Sequence, residues 1–135
     1  MLMGELLTLK QLKAPVKVVI FNNNSLGFVE LEMKAAGILE YGTELENPSF
    51  AALAEAAGVR GIRVTDPARL PAAIAEMLAH PGPVILDAVV KRAELSMPPT
   101  IQKEQMLGFS LYTLKAIMSG RGDEVLELAK TNLLR

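Results

Sequence analysis

Three consecutive asparagines, Asn22-Asn23-Asn24, followed by Ser25, Leu26, Gly27 and Phe28, end an apolar run that begins at Val16. These residue types can hold a charged ligand. An asparagine carbonyl is a hard oxygen donor suited to Mg²⁺ or Ca²⁺, and its amide hydrogens can bind phosphate oxygens. Such a cluster at a strand's carboxyl end can therefore serve a metal diphosphate, and ligands of open α/β sheets sit at that edge. The same residues also make an ordinary turn, because asparagine tolerates left-handed backbone and Gly27 can close the bend. Local composition leaves both readings open.

Composition narrows the other chemistries. The chain has no cysteine, which excludes disulfides, thiolate metal sites and cysteine nucleophiles and makes a cytosolic setting the default. His80 is the only histidine, so a catalytic triad or multi-histidine metal site is unavailable; beside Pro81-Gly82-Pro83 it reads as a helix end. A net charge of −1 gives no electrostatic footprint for nucleic acid. Half of the 135 residues are hydrophobic, enough for a real core and for some surface that belongs against other protein. No stretch approaches the roughly twenty uninterrupted apolar residues of a membrane span.

The elements that must position the asparagines alternate along the chain. Val16 to Phe21 reads as a strand covered on both faces, as in a parallel sheet. Before it, Leu2, Leu6, Leu9 and Leu12 recur at helical spacing from Met1 to Lys13, and Pro15 stops that helix. No Ser, Thr, Asp or Asn precedes its first turn, so the beginning reads as truncated. After the asparagines come a short helix from Leu26 to Ala36 ended by Gly37, and a second starting at Asn47-Pro48 and ending at Gly58. Val59 to Val64 is a strand, Asp66-Pro67 starts a helix with Leu70, Ile74, Met77 and Leu78 as its apolar stripe, and Pro83 to Val90 is the last strand. The expected fold class is α/β, a parallel sheet flanked by helices, with a helical carboxyl-terminal tail. Lys91 to Thr100, with Met97-Pro98-Pro99, reads as an extended linker and Ile101 to Met118 as a helix. Past the hinge Ser119-Gly120-Arg121-Gly122, residues Asp123 to Leu134 are amphipathic, with Val125, Leu126, Leu128, Ala129 and Leu133 on one side.

The sequence Val-Ile-Phe-Asn22-Asn23-Asn24-Ser25-Leu26-Gly27-Phe28, the Asp66-Pro67 helix start and Gly82-Pro83-Val84-Ile85-Leu86-Asp87 resemble the diphosphate-binding domain of thiamine diphosphate enzymes. More narrowly, Gly108-Phe109-Ser110-Leu111-Tyr112, Ser119-Gly120-Arg121-Gly122-Asp123-Glu124 and Ala129-Lys130-Thr131-Asn132-Leu133-Leu134-Arg135 resemble the carboxyl terminus of bacterial quinone-dependent pyruvate dehydrogenases. The resemblance implies a cofactor motif in two halves, Gly-Asp-Gly and then an asparagine pair one helix later. Only the second half is here, and the first would fall upstream of Met1, so the chain is expected to be a fragment. Gly27 sets the register and implies Asn23 as a Mg²⁺ ligand, with the Ser25 backbone carbonyl as another. Asn23, Asn24, Ser25, Leu26, Gly27 and Phe28 would wrap the diphosphate. Phe28 and Glu32 are implied to border the substrate cavity, against the plainer readings of a core aromatic and a solvated glutamate.

On this resemblance residues 1–90 are the thiamine diphosphate and Mg²⁺ domain, 91–118 a linker and helix, and 119–135 an amphipathic helix that can bind membrane lipid. The implied enzyme is an oligomer, a homotetramer, that also carries FAD on a domain absent from this chain. It turns pyruvate into acetate and CO₂, passes electrons to ubiquinone, and works in the cytoplasm at the inner face of the cell membrane. The fragment alone is expected to be inactive. Fragments of acetolactate synthase or of a phosphate-dependent pyruvate oxidase are the alternatives within the family, and a non-catalytic interaction or lipid-binding module is the alternative outside it. Periodicity alone favours reading the last helix as one docked on its own subunit.

Overall fold

The computed structural model describes residues 3–94 and 102–133, so the linker expected around Met97-Pro98-Pro99 lies outside the described residues. In chain order the elements are α1 (Glu5–Leu12), β1 (Lys17–Asn22), α2 (Gly27–Ala35), α3 (Phe50–Ala56), β2 (Arg60–Val64), α4 (Leu70–Ala79), β3 (Val84–Val89), α5 (Lys103–Met118) and α6 (Gly122–Leu133). They fall into two compact units, Met1–Asn22 with Glu46–Val90, and Asn23–Leu45 with Lys91–Arg135.

The first unit holds a parallel sheet of order β1-β3-β2. Lys17 lies opposite Val84 and Asn22 opposite Val89 on one side, and Arg60 opposite Val84 and Val64 opposite Ala88 on the other. Alternation along the strands sorts the core onto two faces. Val84 and Leu86 pack with Ile62, Val64, Ala73 and Met77 under α4, whereas Ile85 packs with Leu6, Ala54 and Val59 under α1 and α3. The strand covered on both faces is therefore β3, all of whose residues from Val84 to Ala88 are buried. β1 departs from expectation. It is an edge strand whose second face is open among the described residues of its unit, with Val19 exposed and Phe21 75% exposed. Apolar content marked it as a strand, but coverage depends on which elements lie beside it.

Local chemistry explains the boundaries. Ser49 Oγ accepts the Ala52 N–H at 3.3 Å and caps α3, so Pro48, expected inside the first turn, stands before the cap instead. Asp66 Oδ1 accepts the Ala68 N–H at 3.0 Å and caps a 3₁₀ turn, Pro67–Arg69, that runs into α4. His80 ends α4, as expected. Gly61 lies where α3 crosses β2; a Cβ there would drive into the Ala51 carbonyl.

In the second unit α2 ends at Gly37, whose φ of +72° is the left-handed conformation that glycine adopts freely. Gly108 lets α5 approach the Ala35 carbonyl of α2, and Lys115 Nζ donates to the Gly37 carbonyl at 2.7 Å. Tyr112 and Ala116 of α5 are buried. α6 docks within this unit: Leu128 is buried, and Asn132 Nδ2 donates to the Ala93 carbonyl at 2.8 Å. Leu126, expected on the same side, is 62% exposed. Two residues along a helix are turned about 200° apart, which separates it from Leu128. Leu107, Leu111, Leu114 and Met118 leave an exposed apolar stripe along α5. Among the described residues no helix is long and apolar enough to cross a membrane.

Candidate functional site

The three asparagines take three different places. Asn22 is the last residue of β1 and is 4% exposed. Its Nδ2 donates to Asp87 Oδ1 at 3.0 Å, and its Oδ1 accepts from Asn47 Nδ2 at 2.9 Å. Both ends of that amide are thus committed to the first unit. Asp87 itself is fully buried in the middle strand, where Oδ2 accepts the Phe50 N–H that opens α3 at 3.1 Å and the Arg63 guanidinium at 2.6 Å. A buried carboxylate is stable only when paired and hydrogen-bonded in this way. Asp87 closes the motif Gly82-Pro83-Val84-Ile85-Leu86-Asp87, but its role is not visible there, since its donors come from β1, β2 and α3 and meet only through the strand register.

Asn23 opens the second unit and is half-buried. Its Oδ1 accepts the Ser25 N–H at 3.1 Å, an Asx turn that uses one lone pair and leaves the other. Asn24 makes the bend, with φ of 53° and an exposed side chain. Gly27, expected to close the bend, instead leads off α2. A Cβ on Gly27 would lie 2.9 Å from Asn23 Nδ2, so the absence of a side chain keeps room for that amide.

The loop is also anchored from outside. Leu26 N–H donates to the Thr43 carbonyl at 2.8 Å and Leu45 N–H to the Asn24 carbonyl at 2.9 Å, about an antiparallel bridge between Ser25 and Glu44. Leu26 stands at the N-cap of α2 with no side-chain cap. Uncapped first-turn N–H groups suit an anion such as a phosphate. Phe28, 74% exposed, is not a core aromatic, and Glu32 on the same helix is exposed.

These observations fit a Mg²⁺ diphosphate. The half-buried Asn23 amide oxygen keeps a lone pair, and the N–H groups that open α2 have no side-chain competitor. Among the described residues no group of three or more His, Cys, Asp or Glu is placed to hold a metal.

Beside the loop, the second unit encloses a cavity of about 510 Å³ lined by Glu30, Lys34, Glu40, Arg92, Tyr112 and Arg121, among others. Burial, aided by the Glu40 charge, pushes the Tyr112 phenol up to about 12. Arg121 Nη2 reaches Glu40 Oε1 at 2.5 Å, while Glu40 Oε2 is buried without a hydrogen-bond partner among the described residues. Only the i, i+4 pairing of Glu30 with Lys34 was readable in the sequence.

Comparison with known proteins identifies relatives of this chain. The chain is 37% identical over 131 residues to YdaP of Bacillus subtilis, whose name describes it as thiamine pyrophosphate-containing; the match covers 97% of this chain and 23% of that protein. It is 32% identical over 118 residues to the acetolactate synthase large subunit of Porphyra purpurea, covering 80% of this chain and 19% of that one. With chloroplastic acetolactate synthase 2 of Nicotiana tabacum it shares 40% over 103 residues, or 70% and 16% of the two chains. The chain thus spans less than a quarter of the length of these relatives. Residues 1–88 match the C-terminal TPP binding domain of thiamine pyrophosphate enzymes, and the chain belongs to that family.

Proposed function

We propose that this chain is the diphosphate-holding part of a thiamine diphosphate- and Mg²⁺-dependent enzyme that decarboxylates pyruvate to acetate and CO₂. FAD, held by another domain, would supply the electron acceptor and ubiquinone would take the electrons onward. The carrying observation is the division of the asparagine triplet, in which Asn22 is locked into the sheet while Asn23 follows it half-exposed with an oxygen lone pair to offer.

When bound, thiamine diphosphate supplies the carbanion chemistry of decarboxylation, as cofactors do for difficult steps. The protein's part is to place and hold. Asn23 Oδ1 and the Ser25 carbonyl would be oxygen donors for Mg²⁺, and the opening N–H groups of α2 would offer hydrogen bonds to the phosphates. The other ligands, the pyrimidine site and the flavin come from the rest of a homo-oligomer. Phe28 and Glu32 border the substrate. The enzyme works in the cytoplasm, on the inner face of the membrane, and meets lipid through its carboxyl-terminal helices. The exposed apolar stripe of α5 supports that contact.

The quinone-dependent reading is favoured by the tail motifs from Gly108 to Arg135. The match to YdaP covers 97% of this chain, against 70 to 80% for the two acetolactate synthases. Those synthases nevertheless support acetolactate formation as a second reading. Product analysis separates them: the parent enzyme, given pyruvate, both cofactors, Mg²⁺ and a quinone, is expected to yield acetate and reduced quinone. Acetolactate or acetyl phosphate as the main product would overturn the assignment.

A further inference from the structure

Ser25 is held from several directions. Its N–H donates to Asn23 Oδ1 at 3.1 Å, and its hydroxyl donates to Glu30 Oε2 at 2.6 Å, with the side chain buried. The carbonyls on either side are engaged too, Asn24 by the Leu45 N–H at 2.9 Å and Leu26 by the Glu30 N–H at 3.0 Å. Ser25 therefore cannot turn its own carbonyl without breaking one of these bonds. Glu30 is equally constrained, since Lys34 Nζ donates to its Oε1 and Arg92 Nε donates to its Oε2 at 3.2 Å.

We propose that Glu30 is a positioning residue for the metal-binding loop: through the Ser25 hydroxyl it fixes the Asn23 amide oxygen and the Ser25 carbonyl before a divalent cation arrives. This rests on reading the loop as a Mg²⁺ diphosphate site. A hydroxyl bonded to an ionised carboxylate is among the stronger hydrogen bonds, and groups one bond removed from a metal govern its affinity by orienting its ligands. Lys34 Nζ and Arg92 Nε both pair with the Glu30 carboxylate and hold it in place against the Ser25 hydroxyl. Glu30 reaches no metal itself and acts only through Ser25.

The test is a calorimetric Mg²⁺ titration of the parent enzyme at saturating thiamine diphosphate. Ser25→Ala and Glu30→Ala are each expected to weaken Mg²⁺ binding about 10- to 100-fold, the range for such orienting groups. Because both act through one hydrogen bond, the double variant should be no worse than either single one. Glu30→Gln, which keeps an acceptor for the hydroxyl, should recover most of the affinity. Arg92→Gln removes another partner of Glu30 without touching the hydroxyl, so it should lower the melting temperature and leave Mg²⁺ affinity unchanged. Equal weakening by Arg92→Gln would mean general loosening and overturn the inference. Unchanged affinity in Ser25→Ala, with Asn23→Ala impaired, would overturn the inference and leave the loop assignment standing. Unchanged affinity in Asn23→Ala would remove the loop assignment itself.

Discussion

Asn22 and Asn23 are chemically identical, and their hydrogen bonds give them different work. Replacing Asn22 with Ala strands the Asn47 amide and one Asp87 oxygen, at a cost of about 1–3 kcal/mol in unfolding free energy by urea titration. Asn23→Ala is expected to leave stability nearly unchanged and to raise the Mg²⁺ requirement of the parent enzyme. Inverted results, with Asn23 governing stability and Asn22 the metal, would shift the register by one. Glu30 makes a second prediction at this scale. A carboxyl whose folded pKa is depressed contributes stability that is present above its unfolded value and is lost as pH falls through the folded one. Melting temperature should therefore fall as pH drops below about 4.5, and Glu30→Gln should flatten that part of the curve in circular dichroism melts.

Elements were legible where local chemistry decides them. Ser49, Asp66, Gly37 and Gly58 punctuate helices through caps and left-handed backbone, and the resulting boundaries fall close to those read from the sequence. What lay hidden needed partners far along the chain. Asp87 meets Asn22, Phe50 and Arg63 only because β3 lies between β1 and β2, and Arg121 meets Glu40 across 81 residues. The open face of β1 was missed for the same reason, since Val16 to Phe21 cannot report which strand lies beside them. Close packing yields the prediction at this scale. Gly61→Ala would place a methyl group against the Ala51 carbonyl, so α3 must retreat from β2 at a cost of about 1–3 kcal/mol. An unchanged urea midpoint would show that the crossing is looser than this.

For the molecule as a whole, the docked α6 sets the expectation for the tail. A helix held by Leu128 and Asn132 at rest can bind lipid only if a membrane favours its released state by more than those contacts. If the proposed function holds and lipid raises turnover through this tail, deleting the residues after Ser119 in the parent enzyme should leave the thiamine-dependent reaction intact and abolish that rise, measured as the ratio of turnover with and without vesicles. A ratio unaltered by the deletion would place lipid contact elsewhere, with the α5 stripe the next candidate.

The order β1-β3-β2 puts the last-made strand at the centre, so the two earlier strands have no sheet neighbour in this unit until β3 has left the ribosome. Such long-range pairing delays folding of this unit until β3 is made and leaves Val18, Ile20, Ile62 and Val64 unprotected until then. A polypeptide ending at Gly82 is expected to show no β signal by circular dichroism, whereas one reaching Val90 should fold this unit cooperatively.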